Sequence, residues 1–422
     1  MTKEIVLVVG KNPLEEVGGG HSNYVRAHAR AMIRAGFRPH LFCIGRADGT
    51  VETEYGVIHQ LLSRLCLLPD ATAGGARTSS IPWREPALAA GVMRFLRDRK
   101  GPQLVHGFGL WGSAGVRASR ELRRLGVEAI PIVNAYTSIE HEHRGKRLGL
   151  NRDHGLTSRL SAKAEYHWIK RVIGRYERQA YFGSRAVLYN YESTRRLLLE
   201  RFGAGMRFRK LPYSSETSFT RQDDARQPDP IGSIARLEPR EAPLVVAVSR
   251  HDPRKGVDVL LRALSRLRER GVAFRACLVG GGQLIEQHRR LAGRLNLSGT
   301  TVITGFAPDA YAYLRHANIF VLPSLEEGSG SISLIEALQV GAAVVASNID
   351  GIPEDVTDGD SALLVEPGDV EALSRALERV LTDAGLRGRL RRRASAVFAD
   401  KFSPEAFCKA LGETYAELGF NP

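Results

Sequence analysis

The segment Pro323–Ala337, PSLEEGSGSISLIEA, combines carboxylates, small residues and a helix start within one short stretch. It follows the apolar run Ile319–Leu322, which predicts a buried strand. Glu326 and Glu327 precede a Gly-Ser-Gly-Ser turn, and Glu336 is embedded in the apolar segment after it. Small residues let backbone N–H groups approach an anion, and a helix N-terminus favours negative charge. The pattern therefore predicts a site for an anion whose hydroxyl groups could be bound by carboxylates.

Two cations stand at a similar place earlier in the chain. Arg250 and Lys255 follow the apolar run Leu244–Val248, which predicts another strand. Ligands of doubly wound sheets bind where the strands end. Cations placed there would stabilise negative charge that grows on a departing anionic group, more in the transition state than in the ground state. The alternative is that both are solvated surface cations.

A glycine-rich loop, Gly18-Gly19-Gly20, follows the first predicted strand, Ile5–Val8, and precedes a helical pattern. Glycine permits close approach of the backbone to a phosphate or a sugar, although a plain turn would look the same. Neither this loop nor Gly280–Gly282 has the spacing GxGxxG. The fingerprint of a dinucleotide-binding oxidoreductase is therefore missing.

These fragments resemble the retaining GT-B glycosyltransferases of the glycosyltransferase group 1 family, which are glycogen-synthase-like (GT4-like). The resemblance covers Pro243–Val370 with fragments in the family's order, and the first half of the chain resembles the family more loosely. The fragments are VAVSRHDPRKGVDVLLRAL, LVGGGQL, TGF, PSLEEGSGSISLIEA, VGAAVVASNIDGIPEDV and ALLVEPGD. As a set they are specific, whereas each one alone would be weak.

The resemblance implies a site for a nucleotide-diphosphate sugar, used as a co-substrate without a metal ion or another cofactor. Lys255 and Arg250 would contact the diphosphate, Glu327 the sugar hydroxyls and Glu336 the ribose hydroxyls. The implied donor-binding residues are Gly19, Gly20, Arg250, Lys255, Gly305, Phe306, Glu327, Gly328, Ser329, Gly330, Ser331, Ile332 and Glu336. The implied catalytic residues are Arg250, Lys255, Glu327 and His106.

The chain departs from the family pattern at two places. The family usually has seven residues between its two signature glutamates, whereas Glu327 and Glu336 enclose the eight residues GSGSISLI. This predicts a bulged loop or a shifted role for Glu327. The family also commonly has a histidine after the strand that here ends near Val133, where Tyr136 or Asn134 would substitute.

His106 ends the predicted strand Gln103–His106. In the family a histidine often stands at this strand end and faces the cleft, where it could hydrogen-bond the sugar or the acceptor. The alternative is a buried structural histidine with its ring nitrogens satisfied.

Strand and helix patterns alternate along both halves of the chain, which predicts an α/β fold. The expected architecture is GT-B, with two doubly wound Rossmann-like domains facing a central cleft. Residues 1–215 would bind the acceptor, and residues 243–403 would bind the nucleotide-sugar donor. Residues 216–242, rich in Asp, Arg, Gln and Pro, would link them, and by resemblance the helix within 404–422 would pack back on the first domain.

The composition is that of a globular protein: 422 residues, 43% hydrophobic and 25% charged. The net charge of +14 suits a protein that binds nucleotide diphosphates or an anionic membrane, but it also fits an arginine bias of the genome. No apolar run approaches the roughly 18 residues that span a bilayer, and no signal peptide is recognisable. The four scattered cysteines predict reduced thiols, so we expect a cytoplasmic protein, either free or associated with the inner membrane face.

Two further segments allow more than one interpretation. Arg144–Arg178 interleaves cations with aromatic residues, so it is either a surface that docks on anionic lipid or a helix with solvated cations. Glu140-His141-Glu142-His143 lacks the HExxH spacing of zinc sites, so we interpret it as a polar loop.

The acceptor is open: a glycan, a lipid-linked molecule or a small molecule. No nucleic-acid-binding motif is recognisable, so we expect no nucleic-acid partner. One alternative function is a sugar-nucleotide epimerase of GT-B fold, against which the spacing of the glutamates argues. Another is a catalytically inactive GT-B binding scaffold, which the extra loop residue and the missing histidine keep open.

Overall fold

The computed structural model describes residues 3–14, 20–45, 47–62, 81–141, 163–220, 232 and 234–421. The chain divides into two compact units, one of Met1–Glu216 with Pro404–Pro422 and the other of Thr217–Ser403. Each unit has one largely parallel sheet with helices connecting its strands. The predicted α/β class with two Rossmann-like domains is thereby confirmed.

The first unit is built on an eight-stranded sheet in the order β3-β4-β2-β1-β5-β6-β7-β8. Its strands are β1 (Lys3–Lys11), β2 (Phe37–Gly45), β3 (Gly49–Thr53), β4 (Gly56–Leu62), β5 (Gln103–Phe108), β6 (Ala129–Ala135), β7 (Ala186–Tyr189) and β8 (Phe208–Lys210). Among the described strands of this sheet, β3 and β4 pair antiparallel and the other neighbours pair parallel. Chain order runs outwards in both directions from the neighbours β1 and β5, so the topological switch point of this sheet lies between them.

The helices of this part of the chain connect consecutive strands. They are α1 (Gly20–Arg34), α2 (Ile81–Leu96), α3 (Gly112–Arg124), α4 (Gly174–Gly183), α5 (Glu192–Phe202) and the short α6 (Glu216–Thr220). A 3-10 turn, Gly109–Trp111, precedes α3, and a π-helical turn, Ile169–Ile173, precedes α4.

The second unit has a six-stranded parallel sheet in the order β11-β10-β9-β12-β13-β14. The strands are β9 (Leu244–Val248), β10 (Arg275–Val279), β11 (Thr301–Gly305), β12 (Ile319–Leu322), β13 (Ala343–Ser347) and β14 (Ala362–Val365). Its helices are α7 (Val257–Glu269), α8 (Ile285–Arg294), α9 (Tyr311–Leu314), α10 (Ile332–Gln339), α11 (Ile352–Asp355), α12 (Val370–Thr382) and α13 (Ala384–Val397). The 3-10 turns Ile234–Arg236 and Pro253–Lys255 and a π-helical turn, Phe398–Phe402, complete it.

The core of the second unit explains why its strands are continuous apolar runs. All four residues of β12 are buried, because helices cover both faces of a parallel sheet. Helix α7 buries Leu260, Leu264 and Leu267 at helical spacing and turns its arginines outwards. The last helix, α14 (Pro404–Glu417), belongs to the first unit and packs on α1, where the rings of His28 and Phe407 are 4.8 Å apart.

Several elements differ from the sequence expectation. The hairpin β3–β4 was not expected, because β3 is exposed and shows no apolar alternation. Helix α13 was missed because its buried positions, Leu386, Leu390 and Ala394, are sparse among arginines. The segment expected to link the domains contains α6 and the turn Ile234–Arg236, and its residues from Thr217 onwards belong to the second unit. Among the described helices, none is both long and apolar enough to cross a membrane.

Candidate functional site

The topological switch point of the second sheet lies between β9 and β12, which pair through Val245 with Ile319 and Val246 with Phe320. From here the chain winds outwards to β10 and β11 on one side and to β13 and β14 on the other. Loops that follow parallel strands all emerge at the same edge of the sheet, and ligands of doubly wound sheets bind beside the switch point. Lys255 follows β9 and Glu327 follows β12, so the fold brings these predicted residues together.

Lys255 and Glu327 form a direct ion pair. The Nζ of Lys255 donates to Oε2 of Glu327 at 2.6 Å, and the Oγ of Ser324 donates to Oε1 at 2.5 Å. The Glu327 side chain is 5% exposed and the Lys255 side chain 15% exposed, so both charges are largely removed from water and balance each other. A lysine ammonium carries three hydrogen-bond donors, and Glu327 uses one of them. Lys255 can therefore bind an additional anion while it stays paired.

Backbone contacts hold together the loop after β9, which carries Lys255, and the loop after β12, which carries Glu327. Gly256 has φ +58°, and a Cβ at this position would lie 2.0 Å from the carbonyl oxygen of Pro323, so only glycine allows this approach. The N–H groups of Leu325 and Glu326 donate to the carbonyl oxygen of Arg254 at 2.7 and 3.2 Å. The position of the ion pair is therefore set by the backbone as well as by the side chains.

Arg250, like Lys255, follows strand β9, but its side chain is far more exposed than that of Lys255. Its side chain is 61% exposed, and Nη2 lies 3.2 Å from Oδ2 of Asp252. Asp252 also accepts a hydrogen bond from the N–H of Arg254 at 3.0 Å, which caps the turn Pro253–Lys255. Exposed pairs of this kind contribute little to stability. Arg250 can therefore turn towards a ligand at small cost.

The small-residue loop leads into helix α10 as the sequence predicts. Ser331 is the N-cap, but its side chain makes no capping bond and its Oγ lies 3.0 Å from the Oγ of Ser333. Within the described residues, the N–H groups of Gly330, Ser331 and Ile332 donate to no protein acceptor. These groups and the helix N-terminus offer hydrogen bonds to an anion.

Two backbone N–H groups of the predicted anion-binding loop already donate to a protein carboxylate. The N–H groups of Glu327 and Gly328 both donate to Oδ2 of Asp350, each at 2.7 Å. Asp350 follows β13 and was not recognised in the sequence, although it lies within the family-like fragment VGAAVVASNIDGIPEDV. Only the position of Asp350, three residues after the end of β13 and within this fragment, could have indicated it.

Glu336 is buried on α10, where it is 8% exposed. Its Oε1 accepts a hydrogen bond from the Oγ1 of Thr217 at 3.0 Å, and the carbonyl oxygen of Thr217 accepts from Nε2 of Gln339 at 3.3 Å. Thr217 belongs to α6, within the segment expected to be a linker, and was not predicted to take part. A buried carboxylate with a polar partner can bind a hydroxyl ligand in addition.

Gly305 and Phe306, two of the implied donor-binding residues, lie where β11 ends. Strand β11 includes Gly305, which has φ +85°, and its carbonyl oxygen accepts from the N–H of Gly280 at 2.9 Å. Phe306 is 63% exposed, and a Cβ on Gly281 would lie only 3.4 Å from its Cβ. An exposed aromatic ring beside a glycine loop offers a flat surface on which a base could stack.

A histidine pair, which the sequence did not reveal, joins the loop after β9 to α8. The Nδ1 atoms of His251 and His288 lie 2.9 Å apart, and both side chains are buried. Burial, with the nearby His288 and Arg289, lowers the pKa of His251 to about 4. Burial also lowers the pKa of His288. Both rings are therefore neutral near pH 7, so one can donate to the other.

In the first unit, His106 differs from its expected position. Strand β5 continues to Phe108, so His106 lies inside the strand rather than at its end. The side chain is fully buried, with Nδ1 2.8 Å from the hydroxyl of Tyr415 and Nε2 2.7 Å from Oδ1 of Asn134. Burial lowers the pKa of His106 to about 4. Because protein atoms occupy both nitrogens, this arrangement corresponds to the structural alternative rather than to contact with a substrate.

The two residues expected to replace the family histidine differ in exposure. Asn134 is buried and donates from Nδ2 to the hydroxyl of Tyr24 at 2.6 Å. Tyr136 is half-buried, and its hydroxyl contacts Nδ1 of His21, a residue in the first turn of α1 that was not predicted. Tyr136 with His21 is therefore the more accessible polar pair near the switch point of the first sheet.

Several predicted features lie wholly or partly outside the described residues. These are Gly18 and Gly19, Cys66, Glu142 and His143, and the part of the basic segment before Lys163. Gly20 begins α1. In the described part of the basic segment, Ile169 and Ile173 are buried and the cations are exposed, as a helix with solvated cations would have them. Among the described residues, no three His, Cys, Asp or Glu side chains form a group that could hold a metal ion.

Two family models match the chain. The model described as glycosyl transferases group 1 matches residues 234–397, and the model described as glycosyl transferase 4-like domain matches residues 19–213. The first match contains the Lys255–Glu327 pair, and the second contains most of the first sheet. Together they account for both units.

Relatives and solved structures agree with these matches. The chain is 33% identical over 177 residues to the lipopolysaccharide core biosynthesis glycosyltransferase LpsE of Rhizobium meliloti, which covers 42% of the chain and 51% of LpsE. It is 34% identical over 202 residues to a GDP-mannose-dependent alpha-(1-6)-phosphatidylinositol monomannoside mannosyltransferase of Mycolicibacterium smegmatis, which covers 45% of the chain and 51% of that relative. The chain thus spans about half the length of these relatives.

The fold resembles that of solved GT-B enzymes along almost the whole chain. Sucrose-phosphate synthase from Thermosynechococcus elongatus aligns with a TM-score of 0.68 at 20% identity, covering 99% of both chains. Anabaena HepE in complex with UDP aligns with a TM-score of 0.66 at 15% identity, covering 98% of this chain and 100% of HepE. At such identities the likeness concerns the fold alone. The two family models match in succession, and together with the GT-B fold they support a group 1 glycosyltransferase.

Proposed function

We propose that this protein transfers a sugar from a nucleotide-diphosphate sugar to an acceptor hydroxyl, with retention of the anomeric configuration. The observation that carries the proposal is the Lys255–Glu327 ion pair at the switch point of the second sheet. A buried, charge-balanced pair at this edge is costly unless it serves a ligand or is well satisfied. Here it stands beside unpaired backbone N–H groups and an exposed arginine, which are the contacts that a diphosphate needs.

In the proposed reaction the donor diphosphate lies against Lys255, Arg250 and the start of α10. The bond between the anomeric carbon and the diphosphate oxygen breaks, and its electron pair goes to the diphosphate. The acceptor hydroxyl attacks the anomeric carbon on the same face, and its proton passes to the departing diphosphate oxygen. The cations stabilise the charge that develops there, which lowers the barrier more than it tightens donor binding.

The remaining predicted residues would orient the donor. Glu327, held by Lys255 and Ser324, presents its carboxylate to the sugar hydroxyls. Glu336 binds the ribose hydroxyls from α10, and Phe306 lies beneath the base. In this scheme the phosphate charge is met by side-chain cations and N–H groups, so we propose activity without a divalent metal.

For the acceptor we propose a glycan or a lipid-linked molecule. Two relatives are named for lipopolysaccharide core biosynthesis and for a phosphatidylinositol monomannoside acceptor. The excess of positive charge, +14, would favour contact with an anionic membrane surface where a lipid-linked acceptor waits. We therefore propose that the protein acts on the cytoplasmic side, at or near the inner face of the membrane.

Product analysis tests the proposal against its two rivals. The purified chain is incubated with UDP-, GDP- and ADP-sugars, each with and without lipid and glycan acceptors, and the products are identified by mass spectrometry and NMR. The proposal expects a free nucleotide diphosphate and an acceptor-dependent glycoside. A changed sugar still attached to its nucleotide, formed without acceptor, would favour an epimerase. Nucleotide binding without bond cleavage would favour an inactive scaffold.

A further inference from the structure

Asp350 joins the loop after β13 to the loop after β12. Its Oδ2 accepts hydrogen bonds from the N–H groups of Glu327 and Gly328, each at 2.7 Å. The next residue, Gly351, donates its N–H to the carbonyl oxygen of Ser329 at 3.1 Å. The loop that carries the predicted sugar-binding glutamate is therefore tied to the neighbouring loop at three consecutive residues.

The backbone of Asp350 is in a conformation that side chains other than glycine rarely adopt. Its φ is +51°, in the left-handed region, where aspartate and asparagine are tolerated better than most residues. Such a conformation persists where surrounding contacts fix it. The two hydrogen bonds to a charged carboxylate oxygen are contacts of this kind, and bonds to a charged group are stronger than neutral ones.

Two adjacent N–H groups that converge on one oxygen also resemble an anion-binding site. The carboxylate could therefore compete with the donor phosphates for these groups, or it could fix the loop while other groups bind the phosphates. The structure favours the second possibility. The N–H groups of Gly330, Ser331 and Ile332, at the start of α10, donate to no acceptor in the described residues and can serve the anion while Asp350 stays in place.

We propose that Asp350 is a positioning residue for the loop after β12, residues 323–331, which we call the donor loop. It holds this loop in its binding shape before the donor arrives. Its two bonds fix the backbone where Gly328 turns with φ +78° towards α10. Glu327 is then held at both ends, by Asp350 at its N–H and by Lys255 and Ser324 at its carboxylate. The segment between Glu327 and Glu336 is one residue longer than the family usually has, and Asp350 restrains Glu327 and Gly328, where it begins.

The proposal rests on the proposed function only where donor affinity is measured. Its test compares Asp350→Asn, which keeps a carbonyl oxygen and tolerates positive φ, with Asp350→Gly, which allows the conformation but has no acceptor. Asn296→Gly is the matched control. Asn296 is the other non-glycine residue with positive φ in the described chain, at +54°, and it lies before β11 rather than after a strand of the site.

The first readout is hydrogen exchange of a peptide that covers residues 323–331 in the free protein. Breaking both bonds should let the N–H groups of Glu327 and Gly328 exchange about tenfold faster or more in Asp350→Gly. The Asn variant should stay within about threefold of wild type, because an amide oxygen can still accept. Asn296→Gly should leave this peptide unchanged.

The second readout is calorimetric affinity for whichever of UDP, GDP and ADP wild type binds. We expect the dissociation constant to rise about tenfold in Asp350→Gly, with Asp350→Asn close to wild type and similar melting temperatures in all variants. Unchanged exchange in Asp350→Gly would overturn the proposal, and so would tighter nucleotide binding, which would identify a competing carboxylate. If wild type binds none of the three nucleotides, the proposed function fails, and the exchange result alone judges Asp350.

Discussion

The Nζ of Lys255 lies 2.6 Å from Oε2 of Glu327, across the two adjacent strands at which the second sheet changes its winding direction. The two residues are far apart in sequence, and each follows a strand whose buried apolar run fixes its place in the sheet. The contact therefore makes one site from two loops. It also means that a change at Lys255 affects both the diphosphate contact and the glutamate.

Replacing Lys255 by alanine should lower turnover more than it weakens binding of the nucleotide diphosphate. Removing one contact to the developing charge typically raises the barrier on the order of 3 kcal/mol, so kcat should fall about 100-fold or more. Arg250→Ala should act in the same direction without loss of stability, because Arg250 is exposed and its pair with Asp252 is weak. Steady-state kinetics and calorimetry on both variants measure the two effects.

Arg393→Ala is the matched control for Arg250→Ala. Arg393 also forms an exposed pair with an aspartate of the second unit, at 2.8 Å from Oδ2 of Asp360. It should leave turnover within about twofold of wild type, as surface substitutions away from a site usually do. Normal turnover in both Lys255→Ala and Arg250→Ala would remove the phosphate role from these residues.

Glu336→Gln should weaken nucleotide binding while the fold survives. The glutamine keeps the shape and an oxygen for Thr217, but it loses the charge that two ribose hydroxyls would bind. Thr217→Val tests the structural contact alone, because it removes the hydrogen bond from the Thr217 hydroxyl to Glu336 and leaves the carboxylate in place. Calorimetry and melting curves of both variants decide the role. Reduced stability with unchanged affinity in Glu336→Gln would mean that the carboxylate is structural.

Activity should survive removal of divalent metal. In the proposed reaction Lys255, Arg250 and the backbone N–H groups at the start of α10 neutralise the diphosphate, which is the task a metal ion would otherwise perform. The measurement is turnover after exhaustive EDTA treatment and again after magnesium or manganese is added. Activity that disappears on chelation and returns with metal would count against this arrangement of charges.

Acid should destabilise the protein well before its carboxylates titrate. Burial lowers the pKa of His106 to about 4, while an unfolded histidine titrates near its ordinary value of 6.5. Below that value the unfolded chain binds a proton that the native ring does not bind. The contribution of the neutral His106 ring to the free energy of unfolding is therefore fully present above about pH 6.5 and is lost as pH falls towards 4. Melting temperatures should fall between pH 7.5 and pH 5, and NMR should show a neutral His106 ring at pH 5. A protonated His106 ring at pH 6 would refute this prediction.

The sequence predicted the strands and the donor loop best where the apolar pattern is continuous. Strand β9, strand β12 and helix α10 begin and end where expected, because runs buried on both sides admit few other structures. Their order along the chain then places Lys255 and Glu327 at one edge.

Partners distant in sequence could not be predicted in the same way. Asp350 and Thr217 contact the donor loop and Glu336 from other elements, and no local pattern encodes such a contact. We expected His106 to be accessible because its strand was predicted to end at His106, two residues before the end of β5 at Phe108. The two additional residues of β5, together with Tyr415 from the end of the chain, bury it.

The central claim is that this chain breaks the sugar–diphosphate bond of a nucleotide sugar by means of the Lys255–Glu327 site. The most direct measurement follows, by NMR, the release of nucleotide diphosphate and the anomeric configuration of the first product in wild type and Lys255→Ala. The account predicts that one nucleotide sugar of the UDP, GDP and ADP series is cleaved, that the product keeps the donor's configuration, and that cleavage falls about 100-fold or more in the variant. Equal cleavage in wild type and variant, or a product of inverted configuration, would contradict it.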